Sequence, residues 1–556
     1  MIKKFIEVCL RNRFIVITVF AFLILASIWA VKETPVDAIP DIGEMQIIVF
    51  ADWPGRSPKD IENQVIYPLT TQLMGTPKMK VVRSFSGFSM GMVNVIFKEG
   101  TDYYWARTRV LERMDVAKRL LPAEASVYMA PDATALGQIF WYTVENGYYC
   151  PKHPQKAYEK PGKCPIDREE LIPSQYDLGG LRSIQDWYVR YQLTSAYGVA
   201  EVASVGGYVK QYQIDVDPNK MLAHNVKLNE VIMAVRRSNI DVGAKVFEEG
   251  GMQFVVRGVG FIKTVEDIES IVVGAKEGVP VYIRNIGAVT IGSDFRIGAL
   301  DKEGKEVTGG VVLMRIGENP LRVTERVKAK ISELELGLPP GIRIVPFYDR
   351  TGLIKRTIST LNDALVQEII VSAAVVVVFL LHIGASFITT LIFPLGVLLA
   401  FLMMKFLHIE ANVMSLGGIA IAIGILDDCG SVIAENIYRR IAEAQRQKET
   451  GKVVLLTPSE RLKVCTEGAQ EVGPSVFTAL LTTLVGFIPV YVLTGQAGKL
   501  FKPLAWTKSL AMISAMFIGF ALLPVLSYYL LRGKLQHADE NITARFIRKI
   551  YKSVIS

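Results

Sequence analysis

Two adjacent aspartates, Asp427 and Asp428, fall inside VMSLGGIAIAIGILDDCGSVIA (413–434), an apolar run long enough to cross a membrane. An ionised Asp at the centre of a bilayer helix costs about 2.5–3.5 kcal/mol on insertion scales. Acids kept there against that cost line a protein-walled or watery pathway and carry protons or ions. On a helix, Asp428 shares a face with Gly424 and Glu435, at spacings of four and seven, and with Met414 fourteen residues earlier. Asp427 is turned away by about 100°. Gly417, Gly418 and Gly424 allow another helix to come close. The expectation is therefore that Asp428 faces a packed interface or a cavity between helices rather than lipid. Glu435 sits nearer the cytoplasmic end, where a snorkelling or capping carboxylate is the simpler reading.

Thiols are the other reactive groups. Cys9, Cys150, Cys164, Cys429 and Cys465 make no disulfide framework, and only Cys150 and Cys164 are close enough to share a local site. His224, His382, His408 and His537 show no ligand spacing, and Met90, Met92 and Met252 read as ordinary core or surface residues. No GxxxxGK[ST] phosphate loop and no nucleophile–base set is visible, which argues against an ATP-driven motor of that kind and against an enzyme.

These residues need a membrane scaffold to hold them, and the composition supplies one. The chain has 556 residues, half of them hydrophobic, yet 21% are charged, so membrane and water-exposed parts must alternate. The net charge of +8 fits cytoplasmic flanks better than nucleic-acid binding, for which no basic, aromatic-interleaved platform exists. The first span is FIVITVFAFLILASIWAV (14–31), preceded by Lys3, Lys4, Arg11 and Arg13, with its N-terminus in the cytoplasm. Five more lie near 364–382, 387–404, 413–435, 473–494 and 510–531, each long enough for a ~30 Å core. The basic 439–472 loop and the 533–556 tail then lie in the cytoplasm, although Lys499, Lys502 and Lys508 fall on the other side. Between the first and second spans, residues 36–360 alternate strand-like and helical pieces, as expected of α+β subdomains built from split βαβ units. The expected organisation is 1–35, first span; 36–360, outside the cytoplasm; 361–438, spans two to four; 439–472, loop; 473–532, spans five and six; 533–556, tail.

PVDAIPDIGEMQI (36–48), WPGRSPKDIENQVIYPLT (53–70), SLGGIAIAIG…D…EN (415–436) and GQAGKLFKPLAWTK (495–508) resemble the heavy-metal efflux permeases of the RND superfamily, the CusA/CzcA type. RSIQDWYVRYQL with AEVASVGGYVKQYQIDVDP is most similar to the copper/silver branch. The resemblance covers essentially the whole chain. It implies a six-span helical membrane domain and a periplasmic region of ferredoxin-like porter subdomains plus a docking subdomain. It also implies a proton antiporter of the bacterial inner membrane, trimeric or completed by a separate C-terminal half, working with a periplasmic adaptor and an outer-membrane channel. The proton-carrying acid maps onto Asp428, with Asp427 where an apolar residue is usual, and Met414 and Glu435 fall on the transport path. Leu426 and Ile433 stand where copper/silver members carry methionines, and RFIRKIYKSVIS falls where the second half of the family's tandem repeat would begin.

YYCPKHPQKAYEKPGKCPIDREELIP (148–173) resembles a short heavy-metal-binding module, Y-x-C-P-x-H-P…P-G-x-C-P-x-C-G-M. Cys150, His153 and Cys164 match; Asp167 replaces the last cysteine, and Arg168-Glu169 replace Gly-Met. Two thiolates, an imidazole and a carboxylate suit zinc better than a soft monovalent ion, with copper the other metal in view. The competing expectation is a degenerate loop closed by a Cys150–Cys164 disulfide. No cofactor is required. Three functions are carried forward: proton-driven efflux of heavy-metal cations, a non-transporting remnant that binds metal or adaptor, and export of organic compounds.

Overall fold

A computed structural model describes residues 2–276, 278–296, 298–380, 383–447, 455–533 and 535; the side chains of 135, 244, 276, 365, 369, 372–373, 376–380, 383, 427–428 and 447 lie outside that description. β1 (Gln46–Asp52) alternates buried and half-buried residues, so every second side chain enters a core. The helical run 58–73 follows, opened by a reciprocal cap between Ser57 and Asp60 with Pro58 in the first turn. β2 (Met79–Ser86) and β3 (Met90–Phe97) lead to helix Tyr103–Lys118, where Asp102 accepts the Trp105 N–H at 2.7 Å, and β4 (Ser126–Met129) closes the unit. The sheet order is β2-β3-β1-β4, a split βαβ arrangement around Ile47, Val49, Leu69, Val95 and Val110.

β5 (Gln138–Asn146) starts a second unit of the same plan. It is interrupted at once by a small sheet of β6 (Tyr148–Cys150), β7 (His153–Tyr158) and β8 (Ile172–Pro173), in order β7-β6-β8. The helical run 178–194 and β9 (Val199–Gly206) follow. A third unit comes next, with antiparallel pairs of β10 (Lys210–Val216) with β15 (Gly287–Ser293), β11 (Val242–Glu249) with β12 (Met252–Gly258), and β13 (Val272–Lys276) with β14 (Val279–Tyr282). Its core is Val226, Ile268, Ile283, Ile286 and Val289, while the β11–β12 hairpin holds Phe247 and Phe254 stacked in the open. The chain then returns through β16 (Leu300–Lys302), β17 (Lys305–Met314) and helix Pro320–Leu334 to β18 (Ile342–Asp349). The second sheet runs β16-β17-β5-β18, with β9 also on β17.

β18 ends at Asp349, and helix Arg350–Leu380 begins at the next residue. Five stretches are long and apolar enough to cross a membrane among the described residues: Arg13–Glu33, Gly384–Phe406, Val413–Arg446, Pro458–Val492 and Gly495–Leu530. The expected span at 364–382 falls on the Arg350–Leu380 helix, partly outside the described residues. Prolines set the breaks. Helix Ile383–Thr390 stops and Ile392–Phe406 begins two residues before Pro394, whose ring crowds the carbonyl four residues back. Helix Pro458–Gly486 likewise gives way to Ile488–Val492 around Pro489, and a wider turn at Ile518–Leu522 precedes Pro524.

The 439–472 loop expected from the sequence needs correction. Helix Val413–Gln447 continues well past 439, and the next helix starts at Pro458 under a Thr457–Glu460 capping box. Apolar content stops where the bilayer would stop, but charged pairs carry the helices onward: Arg440 meets Glu471 at 2.8 Å across the two helices. The basic residues of 448–454 and the tail beyond 535 lie outside the described residues.

Candidate functional site

The insertion builds its cluster from two short turns with the same spelling, Cys150-Pro151-Lys152-His153 and Cys164-Pro165-Ile166-Asp167. Each places its first and fourth side chains on one point. One ligand atom from each of the four residues lies within 4.8 Å of all the others. Cys150 Sγ is 3.6 Å from His153 Nδ1 and 3.5 Å from Asp167 Oδ2; His153 Nδ1 is 3.6 Å from Asp167 Oδ2 and 3.9 Å from Cys164 Sγ. Both cysteines are free, so the disulfide alternative is not what is observed. Their side chains are buried (0% and 1% exposed) among Tyr148, Tyr158 and Leu171.

Burial pushes the Cys150 thiol above its ordinary pKa, opposed by the N–H groups of Lys152 and His153 directed at the sulfur. Burial would also raise Asp167, but hydrogen bonds from Cys164, the Glu169 N–H and Cys150 hold it below the usual carboxylate range. Lys152 and Glu169 pair at 3.2 Å across the two turns. Arg168 closes the second turn at φ +59°, the left-handed region that favours glycine. The turn keeps its shape although the residue there is poorly suited to it.

The insertion is bolted to the second sheet. The Gly147 N–H donates to Gly341 O at 2.7 Å, and the Ser174 N–H donates to Gly147 O at 2.8 Å. A Cβ on Gly147 would meet Tyr158 O at 2.6 Å, so glycine is needed for this approach. Arg343 and Glu159 pair at 3.6 Å over the same seam.

The membrane acids stand differently. Asp427 and Asp428 lie on helix Val413–Gln447, and their side chains fall outside the described residues. The helix phase of residue 428 is that of Ile421, Gly424, Val432 and Glu435, all exposed, and of half-buried Met414 and Gly417. The neighbouring flank, with the phase of residue 427, carries buried Leu416, Ile423, Ala434 and Tyr438. The expectation of three glycines at helix contacts therefore holds for one. A Cβ on Gly418 would lie 2.3 Å from Thr507 Oγ1 and 2.4 Å from Leu504 O, whereas Gly417 and Gly424 have nothing within 4 Å. The stripe expected to be packed is open in this chain, because the described helices cover the other side.

A polar joint at the membrane surface was not legible in the sequence. Arg350, 3% exposed, forks onto Asp37 with Nε–Oδ1 and Nη2–Oδ2 both at 2.9 Å, and also reaches Leu136 O. The Asp37 N–H donates to Ala411 O, and Lys405 Nζ donates to Glu33 O at 3.0 Å. Burial outweighs Arg350 and pushes Asp37 up; burial, with Asp37 and Asp41 nearby, pushes Glu410 up too. Partners 313 residues apart give no local signal. Lys508 is also buried, its ammonium 3.8 Å from the Phe487 ring centre.

Comparison with known proteins extends over nearly all of these elements. Residues 5–556 match the model of the AcrB/AcrD/AcrF family. Cation efflux system protein CusA of Escherichia coli K12 is 40% identical over 557 residues, covering 100% of this chain and 50% of that protein. Cobalt-zinc-cadmium resistance protein CzcA of Cupriavidus metallidurans is 36% identical over 524 residues, 94% of this chain and 47% of that one. A crystal structure of a heavy metal efflux pump superposes with a TM-score of 0.77 at 28% identity, over 94% of this chain and 48% of that one. The chain thus spans about half the length of the relatives it matches. With the match running through the α+β units and the apolar helices alike, the chain belongs to the AcrB/AcrD/AcrF family.

Proposed function

We propose that this chain is the N-terminal half of a proton-driven exporter of heavy-metal cations at the bacterial inner membrane, with the 36–360 region in the periplasm. The observation that carries this reading is the whole-chain similarity to proteins named for cation efflux and metal resistance. The acid pair in an apolar helix supports the proton part. In this reading Asp428 is the carrier, its protonation removing a charge from the open stripe and changing how that stripe packs. Each proton entering supplies about 2.3 kcal/mol per 100 mV of membrane potential. Met414 and Glu435, at the two ends of the stripe, flank the path. The exposure of Ile421, Gly424 and Val432 favours a partner that covers them: a second set of spans, on this chain's continuation or on a separate one. Assembly as a trimer with a periplasmic adaptor and an outer-membrane channel belongs to the same proposal. The same open stripe favours, as second reading, a chain that binds metal or adaptor without transporting. Export of organic compounds has less support, since the relatives named above are metal proteins.

Metal tolerance of cells carrying the chain with its complementary half tests this. Asp428→Asn should abolish tolerance at unchanged membrane abundance, and Asp427→Asn should reduce it less. The reverse order would move the carrier to Asp427. Tolerance indifferent to both would leave the non-transporting reading.

A further inference from the structure

The geometry at 148–173 points to a second role for metal in this protein. We propose that Cys150, His153, Cys164 and Asp167 form a four-coordinate site for a zinc-class divalent cation, and that this ion is a resident clip holding the insertion closed, not transported cargo. The inference rests on the local geometry and stands whether or not the efflux reading does.

Three observations carry it. First, with metal–sulfur bonds of about 2.3 Å and metal–nitrogen or –oxygen bonds of about 2.0 Å, the edges of a coordination tetrahedron measure about 3.3–3.8 Å. The observed separations of 3.5, 3.6, 3.6 and 3.9 Å match those edges within a few tenths of an ångström. Second, the turns are held in shape by their own contacts: the Arg168 N–H and Cys164 N–H close the second turn on Cys164 O and Glu169 O, both at 2.8 Å, and Lys152 pairs with Glu169 at 3.2 Å across the two turns. Third, the donors are mixed. A carboxylate and an imidazole complete two thiols, a donor set that suits a borderline divalent ion better than Cu(I) or Ag(I).

Position argues for a clip. The insertion meets β18 at Gly341–Arg343, whereas the strand enters the membrane helix at Arg350. Eight strand residues separate the two ends, about 25 Å. Both sulfurs are fully buried, so release requires the two turns to part. Residues 159–163 between the turns are exposed and include Lys163, whose bond to Cys164 trypsin can cut once the turns separate.

The test uses the whole chain in detergent under reducing conditions. Chelator-stripped protein is loaded with Zn(II), passed through gel filtration, and its metal counted; Co(II) loading reports thiolate ligation by its charge-transfer absorption. One Zn(II) per chain should survive filtration, Co(II) should show the thiolate band, and tryptic cleavage after Lys163 should slow at least about tenfold on loading. Cys164→Ser should lose all three effects, with circular dichroism confirming an otherwise folded chain; Asp167→Asn should weaken retention but keep the thiolate band. Met252→Ala, on the exposed β11–β12 hairpin outside the insertion, should keep everything. Absence of the thiolate band in the parent, or retention unaffected by Cys164→Ser, would overturn the site. Zinc that binds through the thiolates but leaves during filtration, or leaves tryptic cleavage unchanged, would overturn the clip.

Discussion

The 148–173 insertion and the middle of the 413–447 helix each set acids beside other potential ligands, and they are built in opposite ways. The insertion closes on itself: four ligands from two adjacent turns, buried sulfurs, and a salt bridge across the seam. The helix is closed on one side and open on the other: a Cβ on Gly418 would collide with Leu504 and Thr507, whereas one on Gly424 would meet nothing within 4 Å among the described residues. The contrast separates two kinds of site. A site written in one short segment carries its own geometry. A site on one face of a membrane helix depends on whatever packs over that face.

The largest test of their independence is at the element that touches both neighbourhoods. Arg350→Ala leaves the buried Asp37 carboxylate without its partner and should cost about 3–5 kcal/mol, read as a fall in thermal unfolding temperature. The metal count at the insertion should not change. If it falls too, the two regions are not separate.

Next in size are the glycines. Gly418→Ala should destabilise the helix pair by about 1–3 kcal/mol through overpacking, whereas Gly424→Ala should be neutral or gain up to about 1 kcal/mol of helix propensity. Equal penalties would mean that the 424 stripe is covered in the intact assembly. Acid should act on the insertion. Thiols and the imidazole must shed protons to bind metal, so protons compete for the site, and burial of Cys150 works in the same direction. Metal retention should therefore fall as pH falls, measured by titrating loaded protein. The smallest effect is Arg168→Gly, which relieves a left-handed φ and should stabilise the turn by up to about 1 kcal/mol, visible as slower tryptic cutting of the unloaded chain.

Legibility followed range. The cluster of Cys150, His153, Cys164 and Asp167 is legible in the sequence because the four sit within eighteen residues, in two turns that each begin Cys-Pro. The apolar spans and the alternation of strands and helices were equally plain, since each depends on local periodicity. Helix ends were less so: hydropathy marks the bilayer edge, while Arg440–Glu471 keeps two helices going beyond it. Which helix packs over each face of the 413–447 helix could not be read from its glycines, because glycines permit contact without saying where the partner is. The Asp37–Arg350 pair was invisible, as neither residue carries a motif and the fold alone brings them together.

That pair has a mechanical meaning. No loop separates the second sheet from the membrane: Asp349 is strand and Arg350 is already helix, fastened to the segment that leaves the first span. A sheet joined in this way cannot tilt without levering a helix of 31 residues. The strand works as a crankshaft: a displacement of the sheet is handed to the helix at Asp349–Arg350 with no loop to absorb it.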